Sequence, residues 1–363
     1  MAKTLPPQLF FSFIFLILIP LWATAQGPPP PAFKCTRKTT CNALVGYISP
    51  NTTTISHIQS LFQVKNLKTL LGVNNLPPTT SPKHIIKGNS TVRIPFPCQC
   101  INGIGLSNHV PTYTVVKDDG LYHIANAVFG GLLDYTSIVS ANKIKDADLI
   151  YIGQKLWIPL PCSCDDVDGQ EVVHYGHVVA NGSSVPQIAA EFGINSNTLM
   201  KLNNITDPKS LVAGQVLDVP IKACSSNVSS SSPGPDAPLL VANGTTTYTA
   251  NDCVMCKCDP TNNFMLQCEP SGLKAVNWPS CPSMQCAGSS LSLGNSTILS
   301  SCKRSTCAYA GYDKQNVLTN LATVDTCAGP GSSSNEAPKI HQISWSLGGI
   351  LLCLQLIMLD RFL

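Results

Sequence analysis

An internal repeat of about 50 to 65 residues constrains the fold of this 363-residue chain more than any other feature. The second copy runs from Tyr113 to Pro159 and the third from His174 to Pro220, and both close on a Gly-Gln-x-Leu-x-Ile/Val-Pro phrase. A more diverged first copy runs from Leu44 to Pro95. Repeats of this length are single supersecondary units, so the sequence predicts three similar units in a row.

Each copy reads as strand, helix, helix and strand, which predicts an α+β fold. In the second copy, Tyr113 to Val116 is a β-branched run typical of a strand. A helix with one buried face follows, a second short helix spans Tyr135 to Ala141, and a strand spans Lys155 to Pro159. One such unit buries little apolar surface, so cross-links are expected to stabilise it. The helical spacing is carried by Leu121, Ile124, Ala125, Val128 and Phe129.

The cysteines indicate a secreted, disulfide-bonded chain. There are seventeen, and setting aside Cys353 near the C-terminus leaves an even number. Seven of these lie up to Cys224 and nine beyond it, so full pairing needs a bridge across that boundary. Cys224 is the candidate, with a partner after Cys253. The Cys253-x-x-Cys256-x-Cys258 spacing also fits a zinc site, but the secretory context favours disulfides.

The N-terminus predicts a signal peptide over residues 1–25. Lys3 is the only charged residue before an apolar run from Leu9 to Trp22, and Ala23-Thr24-Ala25 supplies a cleavage pattern. A membrane-spanning anchor is the alternative. The run is shorter than the roughly 20 residues that a bilayer needs, which favours the signal peptide.

The C-terminus predicts a glycosylphosphatidylinositol anchor that holds the chain on the outer leaflet of the plasma membrane. Residues 331–342 are a patch of small residues with a polar spacer, and residues 343–363 form an apolar tail that is removed when the lipid is attached. A single-pass helix is the alternative, although the basic residues that usually follow such a helix are few. The candidate attachment residues are Gly331, Ser332, Ser333, Ser334 and Asn335.

Composition narrows the ligand class. Charged residues make up 12% and the formal net charge is +3, so nucleic acid is not expected as a partner and a neutral polar ligand is. The region after residue 238 has few acids and no histidine before residue 331, so neither a glycosidase carboxylate pair nor a nucleophile–base pair is expected. The remaining histidines are predicted to be surface residues. Seven Asn-x-Ser/Thr sequons predict a glycosylated surface: Asn51, Asn89, Asn181, Asn204, Asn227, Asn243 and Asn295.

The repeat resembles the LysM domain. The resemblance rests on the Tyr-x-Val start, the Ile-Ala…Phe helix, the Asn after the second helix and the closing phrase. Cys98-x-Cys100 and Cys162-x-Cys164 between the copies resemble the plant LysM receptors, and residues 156–164 and 307–312 resemble the chitin-binding, GPI-anchored branch. This similarity implies LysM modules at 35–97, 110–161 and 172–221. The Ser-, Pro- and Gly-rich segment 225–238 is typical of a linker, and a Cys-rich region follows at 239–330. It also implies the disulfides Cys35–Cys100, Cys41–Cys164 and Cys98–Cys162.

By the same resemblance, chitin oligosaccharides would bind two loops of the second unit, with no cofactor or metal and no catalysis. The second copy, unlike the first and third, contains no sequon whose glycan could obstruct these loops. A LysM receptor-like kinase is the expected partner, and a long oligomer could bridge two copies of the chain. Peptidoglycan binding and a non-signalling, wall-anchoring role are the alternatives. The predicted contacts are Lys117, Asp118, Asp119, Gly120, Leu121, Tyr122 and His123 in one loop and Lys145, Asp146, Ala147, Asp148, Leu149, Ile150 and Tyr151 in the other.

Overall fold

The structure, a computed structural model, describes residues 33–37, 40–225, 239–260 and 264–325. The predicted signal peptide, most of the linker with Asn227, and the anchor site with its tail lie outside these residues. Within the described ranges, no helix is long and apolar enough to cross a bilayer.

The strand–helix–helix–strand order occurs three times along the chain. The first unit contains β2 (Thr40–Ile48), β3 (Thr53–Thr54), α1 (Ile55–Leu61), α2 (Leu67–Val73), β4 (Ile85–Ile86) and β5 (Thr91–Ile101), with β1 (Phe33–Lys34) before it and β6 (Ile104–Ser107) after it. The second contains β7 (Thr112–Thr114), α3 (Leu121–His123) with a π-helical turn (Ile124–Val128), α4 (Tyr135–Ala141) and β8 (Lys155–Trp157). The third contains β9 (Val172–Val178), α5 (Val185–Phe192), α6 (Ser196–Leu202), a 3-10 turn (Pro208–Ser210) and β10 (Val216–Ser225).

The second unit shows how far local pattern fixes the elements. The helix predicted over Tyr135 to Ala141 has those bounds, and Asn142 caps it. The preceding helix is shorter than the apolar spacing suggests, because the backbone widens into a π turn in which the Phe129 amide donates to the Ile124 carbonyl. The strand predicted to reach Val116 ends at Thr114.

One seven-stranded sheet joins the first unit to the third. Its order is β1-β6-β5-β2-β9-β10-β11, with β11 at Leu240–Ala242. β2 and β9 pair in parallel, with Leu44 opposite Tyr175 and Val45 opposite Gly176. A Cβ at Gly176 would lie 2.9 Å from Val45 Cγ1, so the close approach of the two strands depends on this glycine. The first and third units are therefore parts of one continuous sheet and not separate domains.

The first and second units share a hydrophobic core. Phe62 of the first unit and Phe129 of the second pack edge to face with ring centroids 5.6 Å apart, and both are fully buried. Tyr47 and Tyr113 extend the cluster on either side, at 4.9 Å from Phe62 and 5.8 Å from Phe129. A second core lies around Tyr175, Ile188 and Leu199 of the third unit and includes Leu44 and Val73 of the first unit.

Disulfides connect the units and the C-terminal region. Cys35–Cys100, Cys41–Cys164 and Cys98–Cys162 are the pairs that the resemblance implies. Cys224 pairs with Cys258, which is the bridge across the linker that the cysteine count requires. Cys253 and Cys256 are also bonded, to Cys281 and Cys268, so this cluster offers no thiolates to zinc. A further bridge is Cys286–Cys307.

The C-terminal region forms two three-stranded antiparallel sheets. It packs against α2 of the first unit, where Asp252 accepts hydrogen bonds from Lys68 Nζ and Asn66 Nδ2, both at 2.6 Å. A Cβ at Gly72 would lie 2.3 Å from the carbonyl oxygen of Thr246, so backbone meets backbone at this contact. The strands are β12 (Thr246–Thr249), β13 (Val254–Cys258) and β14 (Leu266–Pro270), then β15 (Ser296–Ser300), β16 (Lys303–Asp313) and β17 (Asn316–Asp325).

Candidate functional site

An asparagine clamp fixes the second helix of every unit against its closing strand. Asn142 Nδ2 donates to the carbonyl oxygens of Ile138 (2.9 Å) and Trp157 (2.7 Å), and Asn142 Oδ1 accepts from the Trp157 amide (2.9 Å). Asn74 and Asn203 make the same three bonds in their own units, at 2.7 to 2.8 Å. An amide side chain supplies both donors and an acceptor, which explains why asparagine occupies this position each time.

The two predicted loops of the second unit emerge from the same end of the β7–β8 ladder. Beyond the last strand pair, the Val115 amide donates to the Gln154 carbonyl at 2.9 Å and the Gly153 amide donates to the Val115 carbonyl at 2.8 Å. Gln154 also accepts the Tyr151 amide through its side chain at 3.0 Å. These bonds hold the bases of the loops side by side, so residues of both face the same solvent region.

Three large apolar side chains of these loops lie in solvent. Tyr122 is 70% exposed, Leu149 57% and Tyr151 68%. Such exposure costs the free protein the favourable burial of each side chain. Exposed apolar side chains on loops that start from a fixed frame are typical of a binding surface.

The structure places the side chains of two predicted contact residues of the first loop away from solvent. Leu121 is 3% exposed and belongs to the core. Asp119 points inward, where it accepts from the Tyr113 hydroxyl at 2.9 Å and from the Val116 amide at 2.8 Å. Burial and the neighbouring Asp119 raise the pKa of Tyr113 to about 12, so this hydroxyl stays protonated and the bond shapes the loop.

Some of the other predicted residues hold the loops in shape, and the rest are exposed to solvent. Asp146 Oδ1 accepts from the Asp148 amide at 3.0 Å and fixes the turn of the second loop. Ala147 and Ile150 are half-buried against the core. His123 lies 3.8 Å from Asp119. The exposed remainder, available for polar contacts, is Lys117, Asp118, Gly120, Lys145 and Asp148.

Sequence reasoning missed two exposed apolar residues at the edges of the loops. Val116 is 53% exposed and Ile152 is 71% exposed. Val116 reads as the last residue of a β-branched run, so its pattern assigns it to a strand. The stop after Thr114, which places Val116 in the loop, depends on hydrogen bonds that the pattern does not show.

The third unit repeats this frame with different loop side chains. The Val179 amide donates to the Gln215 carbonyl and the Gly214 amide to the Val179 carbonyl, as in the second unit. Counting from these bonds, Ser210 stands in the place of Leu149, and Val212 in the place of Tyr151. The third unit therefore offers less apolar surface at this position.

The sequons also separate the second unit from the others. Lys117 lies two residues after Val115, and the equivalent residues of the first and third units are Asn51 and Asn181, both exposed sequon asparagines. A glycan on either would stand at the base of the loops. In the second unit a lysine takes this place. The loop face of the second unit is thus the one face of the three without a sequon asparagine at this equivalent position.

Comparison with known proteins places these features in a family. The LysM domain family matches residues 113–159 and 177–220. The "LysM domain-containing GPI-anchored protein 2" of Arabidopsis thaliana is 44% identical over 94% of this chain and 97% of its own length. The "Chitin elicitor-binding protein" of Oryza sativa subsp. japonica is 38% identical over 86% of each chain. The crystal structure of the ectodomain of a receptor-like kinase is 25% identical, with a TM-score of 0.43 over 51% of this chain and 94% of its own.

These relatives are named as binding or anchored proteins and not as enzymes, in agreement with the expectation that this chain is not one. The matches run through the repeat and through most of the remaining chain. The chain belongs to the family of plant LysM domain-containing GPI-anchored proteins.

Proposed function

We propose that this chain is a cell-surface receptor that captures chitin oligosaccharides on the two loops of its second unit. The observation that carries the proposal is the exposure of Tyr122, Leu149 and Tyr151 on a face without a sequon. An N-acetylglucosamine oligomer is uncharged and carries methyl groups, ring faces and amides. Apolar side chains would cover the methyl groups, and loop backbone groups would hydrogen-bond the amides.

The first unit is proposed to be a third LysM module. The asparagine clamp of Asn74 reproduces that of the two units that match the family. The pair of bonds that closes its loops, from the Ser49 amide to the Ser90 carbonyl and from the Asn89 amide to the Ser49 carbonyl, is also the same. Its loop face carries Asn51 and Asn89, so it would serve as frame and not as a chitin site.

Signal transfer is proposed to need a second protein. A chain held by a lipid on the outer leaflet presents nothing to the cytoplasm, so a membrane-spanning LysM receptor kinase would transmit the signal. The similarity to proteins named as GPI-anchored and as chitin elicitor-binding supports this arrangement. A long oligomer could bridge two copies of the chain, since its repeating units offer equivalent sites to each.

Calorimetry of the full chain with chitin oligomers, beside peptidoglycan fragments, tests the proposal. The variant L149S/Y151V gives the second unit the residues of the third, and we expect it to weaken chitin binding at least about 10-fold, because it removes apolar contacts worth about 1.4 kcal/mol or more. V212A, at the equivalent place in the third unit, is the matched control and should bind like the wild type. Unchanged binding by L149S/Y151V would place the site elsewhere. Binding heat with peptidoglycan fragments and none with chitin oligomers would show that peptidoglycan, and not chitin, is the ligand.

A further inference from the structure

A polar cleft of about 310 Å³ lies where the first and third units meet. It opens beside the parallel β2–β9 pairing, away from the chitin loops of the second unit. One wall comes from the first unit through Gly46 and Arg93, and the other from the third unit through Tyr175, Glu191 and Phe192. Clefts of this size at junctions between structural units are common places for small ligands.

The apolar part of the cleft is a cluster of three rings. Phe192 packs against both Tyr175 and His177, with ring centroids 5.3 Å apart in each case. A Cβ at position 46 would lie 2.0 Å from the Tyr175 hydroxyl oxygen, so the tyrosine ring reaches across the first unit because residue 46 is glycine. The sequence of one unit therefore shapes the ring surface supplied by the other.

The polar part holds the half-buried Arg93, the exposed Glu191 and the Tyr175 hydroxyl, beside Asn74 and Asn75, whose side chains are already hydrogen-bonded. Arg93 and Glu191 form no ion pair with each other or with any other residue in the described ranges, although both line the cleft. The Tyr175 hydroxyl likewise has no hydrogen-bond partner among the residues that the structure describes. Burial raises the pKa of Tyr175 to about 12; Arg93 acts in the opposite direction and Glu191 in the same one. The hydroxyl is thus a permanent donor at neutral pH.

We propose that this cleft binds a monosaccharide that carries a carboxylate, such as a hexuronate. Arg93 and the Tyr175 hydroxyl donate to the carboxylate, and a guanidinium is well matched to a carboxylate because it can present two parallel N–H groups. Glu191 accepts hydrogen bonds from ring hydroxyls on the opposite side. The apolar face of the sugar ring packs on Phe192, which is half-buried at the cleft.

The arrangement of charge selects this ligand over simpler ones. A neutral sugar would cover Arg93 without forming an ion pair with it, so the free-energy cost of desolvating the guanidinium would not be offset. A simple carboxylate lacks the hydroxyls that Glu191 would accept from and the ring face that Phe192 would cover. The site is independent of the proposed chitin loops, since it uses residues of the other two units.

Calorimetry of the full chain with D-glucuronate tests the proposal, with D-glucose and L-alanine as comparison probes. We expect D-glucuronate to bind, D-glucose to bind at least about 10-fold more weakly, and L-alanine not to bind. R93Q should lower glucuronate affinity about 10-fold or more, and Y175F should lower it less, because Y175F keeps the ring over Gly46 and removes one donor. R304Q removes an exposed arginine of β16 by the same substitution and should change nothing.

The proposal would be overturned by no binding of D-glucuronate, by equal binding of D-glucose, or by unchanged glucuronate affinity in R93Q. Tighter binding of L-alanine than of D-glucuronate would also overturn it, since the cleft would then be an amino-acid site. Chitin binding by the same samples shows that each variant is folded. If the wild-type chain did not bind chitin, that result would count against the proposed loop site and not against the cleft.

Discussion

Replacing Asn142 by alanine tests whether the asparagine clamp holds the second unit together. The side chain makes three hydrogen bonds, two to Trp157 on β8 and one to Ile138 on α4. Alanine keeps the helix end and removes all three bonds. The clamp stands at the start of the second loop, so its loss should loosen both α4 and β8.

The magnitude follows from the bonds removed. A hydrogen bond in a protein contributes about 1 kcal/mol net, and an amide or carbonyl left unpaired in a partly buried place costs about as much again. Water can reach these half-buried groups after the substitution, so we take one contribution per bond. Asn142→Ala should therefore lower the local free energy of opening by about 3 kcal/mol.

Native-state hydrogen exchange measures this opening one amide at a time. The Ile158 amide is the reporter, because it donates to the Pro111 carbonyl at 2.9 Å and makes no bond to Asn142. We expect its protection to fall about 100-fold. Asn108→Ala, which removes an exposed side chain hydrogen-bonded to His109, should leave it unchanged. A fall of less than about 5-fold in Asn142→Ala would show that packing, and not the clamp, holds β8.

Two further predictions concern stability. Burial lowers the pKa of His174, but the Asp218 carboxylate 2.7 Å away and the bond to the Asp165 carbonyl outweigh it, so the pKa lies above its ordinary value. A raised pKa stabilises the fold below the ordinary value of 6.5, and the melting temperature should fall as pH rises through the folded-state pKa, a dependence that Asp218→Asn should flatten. Gly72→Ala brings a Cβ within 2.3 Å of the Thr246 carbonyl oxygen and should cost about 1–3 kcal/mol in thermal unfolding, whereas an alanine at position 120, with nothing within 4 Å, should not.

Local pattern predicted the parts of the fold that depend on neighbouring residues. The helix predicted over Tyr135 to Ala141 has those bounds in the structure, because the end of a helix at a residue such as Asn142 is decided within one turn. The cysteine count required a bridge across the linker, and Cys224–Cys258 is that bridge. The internal repeat predicted both the mixture of strands and helices and the LysM modules that the family match finds.

Contacts between distant segments lay beyond the sequence. His174 was predicted to be a surface residue, but it is 1% exposed, because β9 lies in the middle of a sheet that spans two units. From the sequence, Asp119 looks like an exposed loop residue. Its side chain instead points inward to accept from the Tyr113 hydroxyl, and no sequence pattern predicts the loop conformation that brings the two together. The exposed face of the second unit could be placed on two loops, while the side chains that reach solvent there required the structure.

The shared core decides how the second unit should be studied. Phe129 packs on Phe62 of the first unit, and Cys162 is bonded to Cys98 on β5 of the first unit. A second unit cut free would expose Phe129 and lose that cross-link, so its failure to bind chitin would report on folding and not on the loops. The third unit offers the better comparison, because its clamp and loop-closing bonds are the same and its loop side chains differ. With the frame held constant inside one chain, exchange of loop residues between the two units changes ligand contacts while the rest of the fold stays as it is.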